Sequence, residues 1–303
     1  MRTKWLPGLS AVEADYDAYV IDQWGVLHDG RCSYPEVLGT LQELKHSDKR
    51  VVILTNSRKP LEPNASRLDA LGITDALYDA LVSSAAVLRD HLVSEHSLGK
   101  LGRKYFIVAK QEDLGLLDGT RFERVASPEV ADFVLLLSSA DDSVVSDHID
   151  WILQAMNKKL IAYTSSNEPL TINRFGVFDG LAQIIAKYEN LGGVVFNAGK
   201  PSPIVYNALS STLNGIPPER VLAIGDQFES DILGAQTMGF DSALVTTGVN
   251  ADQFGDNGDP TAAVENAMRI ANGRTPATWV LPELRWSLAR DAHRLPVAPE
   301  VCR

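Results

Sequence analysis

Four polar clusters carry the side chains that could do chemistry in this sequence, and each comes after a short apolar run. Residues 22–30 open with Asp22 and close with His28-Asp29-Gly30, after the run Ala18–Ile21. Thr55-Asn56-Ser57-Arg58 follows residues 51–54, and Gly199-Lys200-Pro201 follows residues 194–196. Residues 225–231, with Gly225, Asp226 and Asp231, follow residues 221–224. Singly these are ordinary: a strand-end Asp often caps a helix, and Thr-Asn or Gly-Lys-Pro is common turn chemistry. Their joint occurrence at strand ends is restrictive, because the carboxyl ends of strands in an open α/β sheet form the ligand crevice.

Asp22 and Asp226 converging in one crevice would repel each other unless a cation lay between them. Hard oxygen ligands with water left over suit Mg²⁺, and a magnesium-bound acidic crevice accepts a phosphate dianion. Lys200 then adds a fixed positive charge, and the Thr55 hydroxyl with nearby backbone N–H groups offers donors to phosphate oxygens.

The elements that must position these residues read as α/β. Short apolar runs alternate with longer segments of helical spacing, the rhythm of a largely parallel sheet. Ala18–Ile21 and residues 51–54, 194–196, 221–224 and 243–245 form one group of predicted strands, all leading into polar or glycine-containing loops. Residues 105–108, 133–137 and 160–163, with helical stretches at 83–93 and 146–158, form a second. The expected architecture is a discontinuous core of residues 1–80 and 180–303, with a small α/β unit of residues 81–179 inserted. Residues 275–303, with Pro276, Pro282, Pro296 and Pro299, read as an irregular surface tail whose Trp279 and Trp286 pack against the body.

The chain has 303 residues, more than the ~250 at which single cores usually stop growing, which agrees with two units. Hydrophobic residues make up 45% and charged residues 22%, enough apolar material for a core. A formal net charge of −11 disfavours a nucleic-acid groove or an anionic membrane surface, and no apolar stretch suits a transmembrane helix. The two cysteines, Cys32 and Cys302, form no CxxC or Cys/His pattern, so neither a disulfide framework nor a zinc site is indicated and a reducing cytoplasm is expected. No Gly-x-Gly-x-x-Gly follows the first strand, against a dinucleotide-binding module. A receiver domain would be far shorter and would not carry its Asp at the end of the first strand.

On Asp22, Thr55, Lys200 and the pair Asp226 and Asp231, taken in order, the chain resembles the haloacid dehalogenase superfamily of aspartate-nucleophile phosphohydrolases. The likeness spans residues near 15 to 250. The place of the insertion, together with His28-Asp29-Gly30 and Leu54-Thr55-Asn56, resembles subclass IIA, which includes nucleotide and sugar phosphatases. The resemblance implies a Rossmann-like parallel-sheet core with an inserted α/β cap. It implies that Asp22 attacks phosphorus to give an aspartyl-phosphate that water hydrolyses. Mg²⁺ would be held by the Asp22 side chain, the Trp24 backbone carbonyl and the Asp226 side chain, with Asp231 supporting its water shell. Lys200 would neutralise and orient Asp22, and Thr55 with the Asn56 amide would hold phosphoryl oxygens. Charge on the transferring group would thus be met by a cation, a lysine and neutral donors.

The sequence departs from the family at Trp24, where the usual first motif, Asp-x-Asp, has a second carboxyl that protonates the leaving oxygen. An indole cannot transfer that proton, and a general acid/base is worth roughly 10²- to 10⁴-fold. Three readings stay open: a slow phosphatase with a substitute acid, His28 or Asp29 or a cap residue; a hydrolase for good leaving groups such as acyl phosphates; or a phosphate-ligand binding or regulatory protein without useful turnover. Within Ser165-Ser166-Asn167-Glu168-Pro169, where related caps carry an Asn-x-Asp substrate loop, only Asn167 matches. Ser83-Ser84 read as a helix N-cap at the hinge, and Glu229 as solvent-facing. The expected partner is a small phosphorylated metabolite. No heptad or long apolar stripe marks an interface, leaving monomer and homodimer both open.

Overall fold

Strands buried on both faces read as continuous apolar runs, and Ala18–Ile21 and residues 51–54 do so. In the computed structural model, which describes residues 3–109, 115–138, 148–255 and 259–287, these runs become adjacent strands of a parallel sheet. In chain order the strands begin Lys4–Trp5 (β1), Ala18–Ile21 (β2), Arg50–Thr55 (β3), Ala80–Ser83 (β4), Lys104–Val108 (β5), Glu123–Arg124 (β6) and Phe133–Leu136 (β7). They continue with Ile161–Thr164 (β8), Leu170–Asn173 (β9), Gly176–Asp179 (β10), Val194–Asn197 (β11), Val221–Gly225 (β12), Asp241–Val245 (β13) and Trp279–Leu281 (β14).

The larger sheet has the order β1-β14-β13-β12-β2-β3-β4, with every pairing parallel. Alternation along β2 feeds two cores. Tyr19 and Ile21 pack on one face with Val51, Ile53 and Leu41, while Ala18 and Val20 pack on the other with Val205, Tyr206 and Leu209. Such burial, about 1.5–3 kcal/mol per large apolar side chain, makes the sheet a rigid platform for the loops at its carboxyl edge. The smaller sheet, β11-β8-β7-β5-β6, is also parallel, and β9–β10 form a separate antiparallel hairpin. Its two faces are packed in the same way, Val134, Leu136 and Ala162 to one side and Phe133, Leu135 and Tyr163 to the other.

Several expectations are corrected. Residues 194–197 join the smaller sheet rather than the larger, pairing with β8 so that Asn197 lies opposite Thr164. An apolar run states only that a strand forms; here a half-exposed strand completes the edge of the second sheet. Trp279 belongs to no irregular tail, since β14 is inserted between β1 and β13. Ser83 precedes the helix Ser84–Ser97 but makes no side-chain cap; its hydroxyl donates instead to the carbonyls of Lys59 at 3.0 Å and Ser57 at 3.4 Å. Cys32 stands in a disulfide, contrary to the reading from spacing. Pro296, Pro299 and Cys302 lie outside the described residues. Among the described residues no helix is long and apolar enough to cross a membrane.

This topology sets two carboxyl edges against each other. Asp22, Thr55 and Asp226 stand at or just beyond the ends of β2, β3 and β12, whereas Lys200 comes three residues after β11 and Glu168 four after β8.

Candidate active site

The β2–β12 pairing runs one rung past the strand, with the Asp22 N–H donating to the Ile224 carbonyl at 2.9 Å. That bond fixes the Asp22 backbone and turns its side chain into the crevice between the sheets. There the Lys200 ammonium donates to Asp22 Oδ1 at 2.6 Å, to Asp231 Oδ1 at 2.6 Å and to the Leu54 carbonyl at 3.2 Å. All three of its protons are used, and its side chain is 2% exposed. Burial alone would strip the proton, but the Asp22 and Asp231 charges hold the Lys200 pKa well above its ordinary value.

The carboxylates of Asp22, Asp226 and Asp231 each present an oxygen within 4.8 Å of the others. Asp226 Oδ2 accepts the Val249 N–H at 2.8 Å, and Asp231 Oδ2 accepts the Gln227 N–H at 3.1 Å. Asp231 is carried on a π-turn, Phe228–Ile232, an irregular winding often found at functional sites. Two glycines make room for Asp226: a Cβ on Gly25 would lie 2.0 Å from Asp226 Oδ2, and one on Gly248 would lie 1.9 Å from it. Both have positive φ, +81° and +76°, so the backbone as well as the space calls for glycine.

Burial pushes the Asp22 carboxyl up to about 7, with Lys200 pulling against it and Asp231 adding to the rise. Burial also raises Asp226, reinforced by Asp22 and Asp231. Three crowded carboxylates against one ammonium leave a surplus of negative charge that a divalent cation would neutralise. This oxygen-only donor set suits a hard cation.

Thr55, at the end of β3, is buried, and its Oγ1 accepts the Ser57 N–H at 3.2 Å, leaving the hydroxyl proton to donate. The Asn56 side chain clamps Lys200: its Oδ1 accepts the Lys200 N–H at 2.8 Å, and its Nδ2 lies 3.3 Å from the Lys200 carbonyl. That use commits the Asn56 side-chain amide to the Lys200 backbone.

Two family models match the chain: a haloacid dehalogenase-like hydrolase model over residues 19–123 and a HAD-hydrolase-like model over residues 197–268. The chain belongs to the haloacid dehalogenase-like hydrolases. It is 25% identical over 252 residues to an acid sugar phosphatase of Staphylococcus saprophyticus, covering 79% of this chain and 90% of that one. With a D-glycerol 3-phosphate phosphatase of Mycobacterium tuberculosis it shares 22% identity over 301 residues, 96% of this chain and 76% of the relative. Among solved structures, a haloacid dehalogenase-like family hydrolase from Brucella suis superposes with a TM-score of 0.75 at 25% identity, covering 92% of this chain and 100% of that one. A 4-nitrophenylphosphatase from Thermotoga maritima shares the fold, with a TM-score of 0.69 at 22% identity over 90% of this chain and 96% of that one.

In this haloacid dehalogenase-like chain the position of the usual second acid is filled by packing. The Trp24 indole meets the His28 ring edge-on at 4.5 Å between centroids, and the Arg67 guanidinium stands 5.1 Å from its centre. A Cβ on Gly30 would lie 2.4 Å from the indole. His28 is buried, its Nδ1 accepts the Gly30 N–H at 3.1 Å, and burial with Arg67 nearby pushes its pKa down to about 3. Its Nε2 faces the Gln23 side-chain amide at 3.2 Å, and Gln23 Oε1 is otherwise unpaired; turning the amide over lets that oxygen accept the imidazole proton. Asp29 Oδ1 accepts the Arg31 and Cys32 N–H groups at 2.7 and 2.9 Å, and these bonds hold its pKa below the usual range despite partial burial. Neither residue is in its acid form at neutral pH.

Asn167 is exposed, and the side chain that turns inward is its neighbour Glu168. Glu168 Oε1 accepts from Asn56 Nδ2 at 2.9 Å, and Oε2 accepts from Ser166 Oγ at 3.2 Å. Sequence reasoning passed over Glu168 because the family pattern directs attention to Asn-x-Asp, whose acid position is Pro169 here. An acid beside that position was the available signal. Glu229 pairs with Arg274 at 2.9 Å on the surface.

Proposed function

We propose that this haloacid dehalogenase-like phosphatase is Mg²⁺-dependent and hydrolyses a small phosphorylated metabolite through an aspartyl-phosphate on Asp22. The observation that carries the reading is the junction of Asp22 with Lys200 at 2.6 Å beside two further carboxylates within 4.8 Å. The named relatives, an acid sugar phosphatase and a glycerol 3-phosphate phosphatase, support a phosphate monoester as the substrate class.

Asp22, Asp226 and the Trp24 carbonyl would hold the Mg²⁺, with Asp231 behind its water shell. The ion supplies charge neutralisation for the phosphoryl oxygens. Lys200 favours the ionised form of Asp22 and aims it, so its free oxygen can attack phosphorus. The Thr55 hydroxyl and the Asn56 N–H receive oxygens of the transferring group, where charge spreads in the transition state. The chain around the larger sheet would carry this chemistry, and the unit on the smaller sheet would form the cap that selects the substrate. With an indole at position 24, turnover of poor leaving groups depends on another acid.

Phosphate release from aryl, acyl and sugar phosphates, with and without Mg²⁺, tests the reading in wild type and Asp22→Asn. Mg²⁺-dependent release that Asp22→Asn abolishes is the expected result. Turnover of every substrate at the Asp22→Asn background would leave a phosphate-binding protein instead.

A further inference from the structure

The proposed reaction needs a proton for the leaving oxygen, and the groups around Trp24 do not provide one. The indole is not an acid at this pH, His28 is buried and neutral, and the Asp29 carboxylate is tied up by two backbone N–H groups. The loop after β8 is different. It returns a carboxyl group to Asn56, just beyond the end of β3.

We propose that Glu168 is the proton donor to the leaving oxygen and, in the second half-reaction, the base that deprotonates water. This rests on the aspartyl-phosphate reading and assigns the acid that reading lacks. As the Asp22–phosphorus bond forms and the bond from phosphorus to the leaving oxygen breaks, the Glu168 carboxyl proton passes to that oxygen and the alcohol departs. Water then attacks phosphorus while giving a proton to the Glu168 carboxylate. The Asp22–phosphate bond breaks, which restores both side chains and releases inorganic phosphate.

Three features of the structure support the assignment. First, Asn56 Nδ2 donates to Glu168 Oε1 at 2.9 Å and lies 3.3 Å from the Lys200 carbonyl, so one amide joins the Glu168 carboxyl to the residue whose ammonium holds Asp22. Second, the loop is fastened along its backbone. The Glu168 carbonyl accepts the Ala182 N–H at 3.2 Å, the Pro169 carbonyl the Gly180 N–H at 2.8 Å, and the Leu170 carbonyl the Gln227 side chain at 3.1 Å. Gly180 packs so tightly that a Cβ there would lie 2.0 Å from the Glu168 carbonyl oxygen. The Gln227 bond comes from the same loop as Asp226 and Asp231, so core and cap hold Glu168 together. Third, the surroundings favour a protonated carboxyl. Burial raises its pKa and Asp231 adds to the rise, while Lys200 and the bonds from Asn56 and Ser166 oppose it. Asp22 and Asp226 also feel its charge.

A purely structural Glu168, needed only to hold Asn56, is separated from a proton donor by its dependence on the leaving group. Glu168→Gln keeps the size and an oxygen for Asn56 but cannot give a proton. Rates are measured on 4-nitrophenyl phosphate, less activated aryl phosphates and glycerol phosphate, with Mg²⁺. The expected loss is about 10²- to 10⁴-fold for glycerol phosphate and little for 4-nitrophenyl phosphate, whose leaving group needs no proton. The alkaline fall in kcat/KM for the alkyl ester should vanish as well. Glu168→Asp, which keeps an acid, should retain the wild-type leaving-group dependence at a lower rate. An equal loss on every substrate, or a Glu168→Asp dependence as steep as that of Glu168→Gln, overturns the assignment while leaving the phosphatase intact. Wild type inert even to 4-nitrophenyl phosphate removes the phosphatase reading, and this one with it.

Discussion

The Lys200 ammonium stands 2.6 Å from the Asp22 carboxylate across 178 residues of chain, and it comes from the loop after an edge strand of the smaller sheet. Asp22 and its counter-charge therefore meet only when both sheets are formed and closed on each other. Chemistry and folding are coupled at this one contact.

Lys200→Met tests that coupling. It strands Asp22 and Asp231 without their ammonium, and breaking a buried pair costs about 3–5 kcal/mol. Metal-free urea unfolding should show a loss of this order at pH 8, and a smaller one at pH 5, where burial lets the Asp22 carboxyl take up a proton. A loss under ~1 kcal/mol at pH 8 would show that the pair contributes little.

Metal binding should be visible as stability. A ligand present at 100 times its Kd adds about 2.7 kcal/mol to the folded state. Melting of the wild type should rise with Mg²⁺, and Asp226→Asn should remove most of that rise. An unchanged response in the variant would place the ion elsewhere.

Gly25→Ala and Gly99→Ala form a matched pair. Both positions have positive φ, +81° and +72°, but a Cβ at Gly25 strikes Asp226 Oδ2 whereas nothing lies within 4 Å of one at Gly99. Backbone strain of order 1–3 kcal/mol is common to both. Only Gly25→Ala should also weaken the Mg²⁺-dependent rise in Tm, and an equal effect from the two would discount the packing argument.

His28 offers a test by pH. Its folded pKa of about 3 lies below the unfolded value near 6.5, so between those values the unfolded chain binds more protons. The imidazole therefore costs stability progressively as pH falls from about 6.5 towards 3. His28→Asn removes that cost, so any stability advantage of wild type over the variant should shrink as the solution is acidified. A gap independent of pH would mean that His28 is accessible and titrates normally.

Much of the fold was legible because burial on two faces leaves a plain trace. The runs before Asp22, Thr55 and Asp226 are strands, and the parallel α/β class follows from their alternation with helical segments. Sheet membership was less visible. Residues 194–197 look like any other strand preceding a polar loop, yet their partner is β8; Trp279–Leu281 hides a strand behind prolines. Pairing partners are chosen by packing across the whole chain, which local apolarity does not encode.

For the site, the sequence by itself determined which groups were available: an aspartate after β2, a threonine after β3, a lysine, two further aspartates and an indole where an acid is usual. These are properties of residue type and order. Tertiary structure decided what each group can do. It buried His28 until its proton was lost, bound Asp29 into a turn, gave the Asn56 side chain to Lys200, and brought Glu168 rather than Asn167 into the crevice. Proton affinity and reach depend on desolvation and on neighbours distant in sequence, and both exist only once the chain has closed around them.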